Sequence, residues 1–212
     1  MNLNARIKIC GLRLEKDVNL AEELGAWALG FIFYKESPRF ISPKEVAKIA
    51  SRVKIKKVGV FVNAGIDEII EGVETSHVDT VQLHGEEDSD FCNILRIRLP
   101  RLKIIKVLRP RKIEELERLR TFGECESFLL DTFSETKFGG TGVTGDWAIA
   151  KMAAKNFPII LSGGITSHNV ASSLNMVSPF AVDVSSGVET SPGVKDHDEM
   201  RRFFNEAWRK IR

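Results

Sequence analysis

Two short stretches near the end of the chain, Pro158-Ile-Ile-Leu-Ser-Gly-Gly164 and Ala181-Val-Asp-Val-Ser-Ser-Gly187, indicate the fold most clearly. Each is an apolar run that ends abruptly in small residues. Glycine at such a point lets backbone amides approach a ligand closely, and a helix that begins there adds unpaired N–H groups with partial positive charge. Helix-like sequence follows the first stretch at once, from Thr166, and follows the second after a short gap. Two such units in succession predict a phosphate site at the ends of two neighbouring strands.

Outward from this pair, the whole chain alternates short apolar runs with longer amphipathic stretches. The predicted strands are Arg6–Cys10, Ala28–Phe33, Lys57–Val62, Thr80–His84, Ile104–Leu108, Phe128–Asp131, Ile159–Ser162 and Ala181–Ser185. These runs are apolar on both faces, as buried parallel strands are, and the stretches between them have helical spacing. The pattern predicts the α/β class, with a single (β/α)8 TIM barrel of parallel strands and lean loops over residues 1–212. An open doubly wound sheet is the competing arrangement.

Composition restricts the function classes. The net charge of +2 gives no support to a nucleic-acid or membrane-surface role, and no apolar run approaches the ~20 residues of a membrane span. The first residues lack the pattern of an export signal. Three cysteines without C-x-x-C spacing and four scattered histidines argue against a disulfide framework and a metal site. We therefore expect a cytoplasmic protein that holds no metal and binds neither nucleic acid nor membrane.

The carboxyl ends of barrel strands carry the chemistry of this fold, and this rule selects Cys10 and Asp131. Cys10 ends the first predicted strand, and a thiol with an ordinary pKa near 8.5 can be tuned to act as a general base. Asp131 ends the sixth strand, where a carboxyl can be kept protonated as an acid. The two strands lie across the ring, so the pair could flank a small substrate. A buried apolar role for Cys10 and a loop-capping role for Asp131 remain as alternatives.

The same rule selects further candidates for binding rather than proton transfer. They are Arg39, His84, Asp183, Gly163, Gly164, Ser185, Ser186 and Gly187. Arg39 follows the second strand, and a guanidinium there could bind a carboxylate in bidentate fashion. For His84 we favour an imidazole that orients its loop over direct chemistry.

A glycine-rich segment follows Asp131 and is the longest connection at the predicted active face. It contains Gly139, Gly140, Thr141 and Gly142, and long loops of this kind are often lids. Residues 140–145 also match G-x-G-x-x-G. They begin nine residues beyond Asp131, and no acidic residue lies about 20 positions onward, so we predict no dinucleotide cofactor.

The ordered motifs of this chain resemble those of phosphoribosylanthranilate isomerase, the Amadori isomerase of tryptophan biosynthesis. The matching pieces are Lys8-Ile-Cys-Gly-Leu, Gly30-Phe-Ile-Phe, Ser37-Pro-Arg, Gly59-Val-Phe-Val, Val81-Gln-Leu-His-Gly, Leu130-Asp, Phe138-Gly-Gly-Thr-Gly, Leu161-Ser-Gly-Gly-Ile and Val184-Ser-Ser-Gly-Val-Glu. Several are weak alone, but their order and spacing over nearly the whole chain are specific.

The resemblance implies a role for each candidate. Cys10 would be the general base and Asp131 the general acid, with Asp131 in a poorly solvated pocket that raises its pKa. Arg39 would bind the anthranilate carboxylate and Asp183 would lie near the anthranilate amine, while the glycine-rich ends of strands seven and eight bind phosphate. The implied partner is a small anionic phosphosugar, no cofactor is needed, and the protein would be a monomer or homodimer.

Three other functions compete with this interpretation. The histidine-pathway isomerase performs the same rearrangement but has an aspartate at the position of Cys10 and two similar halves, which this chain lacks. A metal-dependent pentose-phosphate epimerase needs histidines and carboxylates from several strand ends, and only His84 qualifies. A non-catalytic phosphosugar-binding barrel would need the glycine pair alone, and the presence of both Cys10 and Asp131 argues against it.

Overall fold

Eight parallel strands form a closed barrel in the computed structural model, which describes residues 5–131 and 147–209. They pair in the order β1 to β8, and β8 returns to β1 through the register pair Lys8–Asp183. The strands are β1 (Ile7–Ile9), β2 (Ala28–Ile32), β3 (Lys56–Phe61), β4 (Thr80–Leu83), β5 (Lys103–Leu108), β6 (Ser127–Asp131), β7 (Ile159–Ser162) and β8 (Ala181–Val184). Each predicted strand agrees with these bounds to within one residue at either end. The predicted (β/α)8 barrel is confirmed, and the open sheet is excluded.

The helices surround the strands, and local sequence signals begin several of them. The α-helices among the described residues are α1 (Glu15–Glu23), α2 (Pro43–Ile49), α3 (Ile66–Ser76), α4 (Ser89–Arg98), α5 (Trp147–Ala154), α6 (Val170–Val177) and α7 (His197–Arg209). Ser42 and Glu45 form a capping box at the start of α2, with Pro43 in the first turn. Asp88 caps α4 by accepting a hydrogen bond from the Phe91 amide at 2.8 Å.

Two connections differ from the predicted helices. Between β5 and β6 the chain forms a 3-10 helix over Ile113–Thr121, whose buried residues Leu116 and Leu119 have the three-residue spacing of that helix. After β7, α6 begins at Val170 and not directly at Thr166. The Asn169 side chain accepts from the Thr166 amide at 2.8 Å and donates to the Gly164 carbonyl at 2.9 Å, which closes a turn before the helix.

A small hairpin between β8 and α7 was not foreseen from the sequence. It pairs β9 (Glu189–Ser191) with β10 (Val194–Lys195) in antiparallel fashion, after a single 3-10 turn at Ser186–Val188. Strands of three and two residues are too short to produce a recognisable alternation of polar and apolar residues.

The core has two layers separated by the barrel wall. The larger layer lies between strands and helices, and the smaller fills the middle of the barrel with Ala28, Val58, Ile105, Val107, Leu129, Ile160 and Ala181. Trp27 and Phe180 pack edge to face against the small layer, with ring centroids 5.4 Å apart. Because aromatic and aliphatic groups fill this interior, polar side chains further along the strands are held at its carboxyl end.

Among the described residues, no helix is both long and apolar enough to span a membrane. Cys10, Cys92 and Cys125 are all free thiols, and the sulfur atoms of Cys92 and Cys125 lie 3.9 Å apart.

Candidate active site

Cys10 lies directly after β1 at the mouth of the barrel. Its amide donates to the Val184 carbonyl at 2.9 Å, so the end of β1 is fixed to the end of β8. The residue is 6% exposed. On the neighbouring strand, a Cβ at Gly30 would lie 2.8 Å from the Cys10 sulfur. The sequence of β2 therefore leaves the space that the thiol occupies.

A buried ion pair lies beneath this thiol. The Lys8 ammonium, wholly buried, donates to Asp183 Oδ1 at 2.7 Å, and Ser162 Oγ donates to Asp183 Oδ2 at 3.1 Å. Lys8 precedes Cys10 by two residues, so both side chains lie on the same face of the strand. Three strands, β1, β7 and β8, thus contribute to one polar network below the thiol.

Burial and charge act in opposite directions on Cys10. Burial raises the pKa of the thiol above its ordinary value, and the ammonium groups of Lys8 and Lys195 partly counter it by favouring the thiolate. The pKa of Lys8 is also raised, because the attraction of Asp183 and Cys10 for its ammonium outweighs the cost of burial. The environment therefore places positive charge beside a thiol whose pKa burial still holds above its ordinary value.

Asp131 ends β6, as predicted, but its surroundings differ from the expected pocket. Its side chain is 26% exposed, and the Nε atom of Arg109 lies 3.7 Å from Oδ2. Arg109 follows β5 directly. A guanidinium beside this carboxyl was not part of the sequence-based expectation, and water reaches the group.

His84 is half-buried at the end of β4 and bears no charge at neutral pH. Its Nδ1 atom lies 3.0 Å from Gln82 Nε2. Burial, followed by the positive charge of Arg109, lowers the pKa of His84 to about 4. With the amide assigned as a donor, Nδ1 accepts and the proton lies on Nε2. The histidine can therefore offer one neutral N–H donor at the mouth.

The two glycine-rich loops meet, as the sequence predicted for a phosphate site. Gly163 and Gly164 have φ angles of 90° and 66°, which L side chains rarely adopt. A Cβ at Gly187 would lie 2.1 Å from the Ile165 carbonyl oxygen, so the loop after β8 packs directly on the backbone of the loop after β7. Ser185 and Ser186 lie in the same loop, at the start of the 3-10 turn.

Arg39 reaches the same end of the barrel from the loop after β2, and Glu189 holds it. The guanidinium donates through Nε to both carboxylate oxygens at 3.0 Å and through Nη2 to Oε2 at 2.7 Å. This bonding to Glu189 raises the pKa of Arg39. The side chain is 21% exposed, so the guanidinium is ordered without being sealed from a ligand.

Two buried polar atoms at this end of the barrel lack a partner among the described residues. Within residues 5–131 and 147–209, Gln82 Oε1 and Ser185 Oγ are buried without a hydrogen-bond partner in the protein. Such atoms are costly unless a ligand or water satisfies them. In the same ranges, no group of three or more His, Cys, Asp or Glu side chains is arranged to hold a metal ion.

The structure thus brings most of the sequence-based candidates to one end of the barrel. The predicted lid residues Gly139, Gly140, Thr141 and Gly142 lie outside the described residues. The sequence analysis did not single out several polar residues that the structure places beside these candidates, which are Lys8, Gln82, Arg109, Glu189 and Lys195. A charged residue inside an otherwise apolar strand was the available signal for Lys8, and the position after β5 was the signal for Arg109.

Comparisons with known proteins agree with this geometry. A family model described as N-(5'phosphoribosyl)anthranilate (PRA) isomerase matches residues 7–206. N-(5'-phosphoribosyl)anthranilate isomerase from Geotalea uraniireducens is 43% identical over 204 residues, covering 95% of this chain and 98% of the relative. The Synechococcus elongatus enzyme of the same name is 38% identical, with 96% of each chain covered.

Solved structures show the same likeness. Phosphoribosyl anthranilate isomerase from Thermotoga maritima superposes with a TM-score of 0.86 at 37% identity, covering 96% of this chain and 98% of the other. A phosphoribosyl anthranilate isomerase in complex with reduced 1-(o-carboxyphenylamino)-1-deoxyribulose 5-phosphate has a TM-score of 0.84, at the same identity and coverage. On this evidence, the chain belongs to the N-(5'-phosphoribosyl)anthranilate isomerase family.

Proposed function

We propose that the chain converts N-(5-phosphoribosyl)anthranilate to 1-(2-carboxyphenylamino)-1-deoxyribulose 5-phosphate, the Amadori rearrangement of tryptophan biosynthesis. The observation that carries the proposal is the pairing of Cys10 and Asp131 at strand ends across the mouth of one barrel, beside two glycine-rich loops in contact. One group can remove a proton and the other can deliver one, on a substrate that carries phosphate.

The reaction needs two proton transfers in sequence. Asp131 gives its proton to the ribose ring oxygen, the bond from C1′ to that oxygen breaks, and the nitrogen lone pair forms the imine. The Cys10 thiolate then removes the C2′ proton, and the electron pair of that bond moves to give the enolamine. Tautomerisation of the enolamine yields the aminoketone. General acid and base groups placed in this way typically contribute 10²–10⁴-fold each, as an order of magnitude.

The remaining residues bind and orient the substrate. The main-chain amides of Gly163, Gly164 and residues 185–187 bind the phosphate, a role supported by the positive φ of Gly163 and Gly164 and by the contact between the two loops at Gly187. Arg39 binds the anthranilate carboxylate, and the Nε2–H of His84 donates to the substrate. Asp183, which accepts from Lys8 and Ser162, keeps acceptor capacity for the anthranilate amine.

The decisive experiment follows the loss of substrate fluorescence in the presence of EDTA. We expect turnover by the native chain, and its loss in Cys10→Ala and in Asp131→Asn with the fold intact by circular dichroism. Cys125→Ala and Asp67→Asn are matched controls away from the site, and both should keep normal rates. Retention of more than about a tenth of the native kcat by either site variant would remove that residue from the mechanism. Turnover of the histidine-pathway substrate alone would replace the proposed activity.

Every residue named in this proposal comes from one chain. A Thermotoga maritima relative is described as dimeric, and a monomer or a homodimer is compatible with the proposed chemistry here. The three free cysteines support our further proposal that the protein acts in the reducing cytoplasm.

A further inference from the structure

Lys195, at the end of β10, is a fully buried cation outside the residues assigned above. Its side chain is 0% exposed, and a buried ammonium is stable only when its three hydrogens have acceptors. It has three: the carbonyl of Cys10 at 2.6 Å, the carbonyl of Ser185 at 3.2 Å and Glu189 Oε1 at 2.8 Å. Its main-chain amide donates to Asp17 on α1, which fixes the hairpin to the body of the barrel.

Each of these acceptors belongs to a different part of the site. Cys10 carries the thiol, Ser185 begins the loop that contains the phosphate-binding amides, and Glu189 holds the guanidinium of Arg39. Arg39 is also fixed through its stem, because a Cβ at Gly11 would lie 2.7 Å from its Cδ. One ammonium therefore connects the base, the phosphate loop and the group that faces the aromatic carboxylate.

We propose that Lys195 and Glu189 are positioning residues of the isomerase site, which hold Cys10 and Arg39 in a fixed relation to each other. The proposal rests on the function proposed above, since it assumes that Arg39 binds the ring carboxylate. Lys195 orients the Glu189 carboxylate, and Glu189 in turn orients the guanidinium.

The contact with Glu189 determines which hydrogens of the Arg39 guanidinium a ligand can reach. Glu189 occupies Nε and one hydrogen of Nη2, so the outer edge formed by Nη1 and Nη2 is left for a ligand carboxylate. A single carboxylate lies between two cations, Lys195 and Arg39, and cannot neutralise both. Lys195, Glu189 and Arg39 together therefore keep a net positive charge at the place where the ring carboxylate would bind.

A purely structural role makes a different prediction. If Lys195 and Glu189 only stabilised the hairpin, their loss would weaken every ligand of the site by a similar factor. If they act through Arg39, the loss depends on the ring carboxylate. Two stable ligands separate these cases: reduced 1-(o-carboxyphenylamino)-1-deoxyribulose 5-phosphate and its counterpart without the carboxylate. Their binding is measured by calorimetry on the full chain, independently of turnover.

Glu189→Gln adds net positive charge beside the ligand carboxylate but removes the bidentate contact that orients the Arg39 guanidinium. If positioning matters more than charge, as we propose, the carboxylated ligand weakens about tenfold and the other ligand stays within about twofold of the native Kd. Glutamine keeps the shape of the side chain and an acceptor for Lys195, so the variant should fold. Lys44→Met, on the exposed side of α2, is the control and should leave both Kd values unchanged. Equal weakening of both ligands by Glu189→Gln, or no weakening of either, would overturn the proposal.

Lys195→Met tests the connection to Cys10. Because the ammonium holds the Cys10 carbonyl and favours the thiolate, we expect kcat to fall about 100-fold as the thiol shifts from its position. The rising limb of the pH profile should move to higher pH, and binding of the carboxylated ligand should weaken as in Glu189→Gln. An unchanged kcat would overturn the proposed effect of Lys195 on Cys10.

The outcomes also separate this proposal from the function on which it rests. If Lys195→Met does not fold, the two Kd values of Glu189→Gln still decide the role of the pair on Arg39. Native protein that binds the carboxylated ligand but turns over no substrate would contradict the proposed function while leaving the binding test valid. Failure of the native protein to bind that ligand would overturn both.

Discussion

Lys8 is the residue that most directly sets the charge around the Cys10 thiol. It is buried with Asp183 as its ion-pair partner, and the pair adds no net charge to the barrel interior. Its ammonium nevertheless lies on the side of Cys10, where it favours the thiolate, while Asp183 acts in the opposite direction. The balance between these two groups therefore adjusts the pKa of Cys10, the proposed base.

Replacing Lys8 by methionine should move the pH dependence of the reaction upward. The pKa of Cys10 is already raised by burial, and removing the ammonium that lowers it, while the Asp183 carboxylate remains, raises it further. Below that pKa, each unit of increase lowers the thiolate fraction about tenfold. We expect the rising limb of kcat/KM to shift to higher pH, measured by the fluorescence assay across pH 6 to 10.

The double variant Lys8→Met with Asp183→Asn is the control for this prediction. It removes both charges, so its rising limb should lie between those of the native chain and Lys8→Met. Removing only one member of a buried pair also destabilises the fold, by roughly 3–5 kcal/mol, and the double variant avoids that loss. An unshifted limb in the single variant would contradict the electrostatic role of Lys8.

The loops after β7 and β8 act as one element because their backbones touch. Gly187 allows this contact with Ile165, and the turn closed by Asn169 fixes the loop after β7. The short 3-10 turn at Ser186–Val188 takes the place that the sequence suggested for a helix start. The geometry of the proposed phosphate site is therefore set by loop packing more than by a long helix.

Gly187→Ala should weaken phosphate binding more than it slows chemistry. The added methyl group would lie 2.1 Å from the Ile165 oxygen, a backbone atom, so the two loops must separate. We expect KM to rise about tenfold and kcat to change much less, because the phosphate is bound equally well in the substrate complex and in the transition state. Inhibition by inorganic phosphate should weaken in parallel.

Gly123→Ala is the matched control, since a Cβ at Gly123 meets nothing within 4 Å. It should leave KM and phosphate inhibition at native values. A normal KM in Gly187→Ala, with the fold intact, would place the phosphate site elsewhere.

The barrel as a whole divides into an apolar middle and a polar mouth. The small inner core fills the middle, and the ionisable groups of the proposed site lie beyond it at the carboxyl ends of the strands. Groups in that mouth lose hydration when the chain folds, and this loss links the stability of the molecule to pH.

Acid should destabilise the folded barrel in part through His84. Its pKa falls from 6.5 to about 4 on folding, so between these values the unfolded chain binds more protons. The contribution of neutral His84 to the free energy of unfolding is fully present above pH 6.5. It is lost as the pH falls to 4, by at most about 3 kcal/mol. The check is chemical denaturation of the native chain and His84→Gln at several pH values.

The native chain and His84→Gln contain the same carboxylates. The difference between their unfolding free energies at each pH therefore reports the contribution of His84. His84→Gln should lose less stability than the native chain between pH 6.5 and 4, and His168→Gln, at an exposed histidine, should follow the native curve. Parallel curves for His84→Gln and the native chain would contradict the prediction.

Local sequence determined the strands, the barrel and the candidates at the strand ends. Strand periodicity and the glycine endings are local properties, so Cys10, Asp131 and the pair of glycine-rich loops could be predicted without coordinates. The first turn of α2 and the start of α4 likewise follow from capping residues that act within three positions.

Only the tertiary structure decided which charges meet. Lys8 pairs with Asp183 across 175 residues, and Lys195 contacts the carbonyl of Cys10 across 185. No local pattern encodes such contacts, because they exist only once β8 closes against β1 and the hairpin folds back on both. The sequence thus identifies the candidate reacting groups Cys10 and Asp131, while barrel closure places the charges of Lys8 and Lys195 beside Cys10.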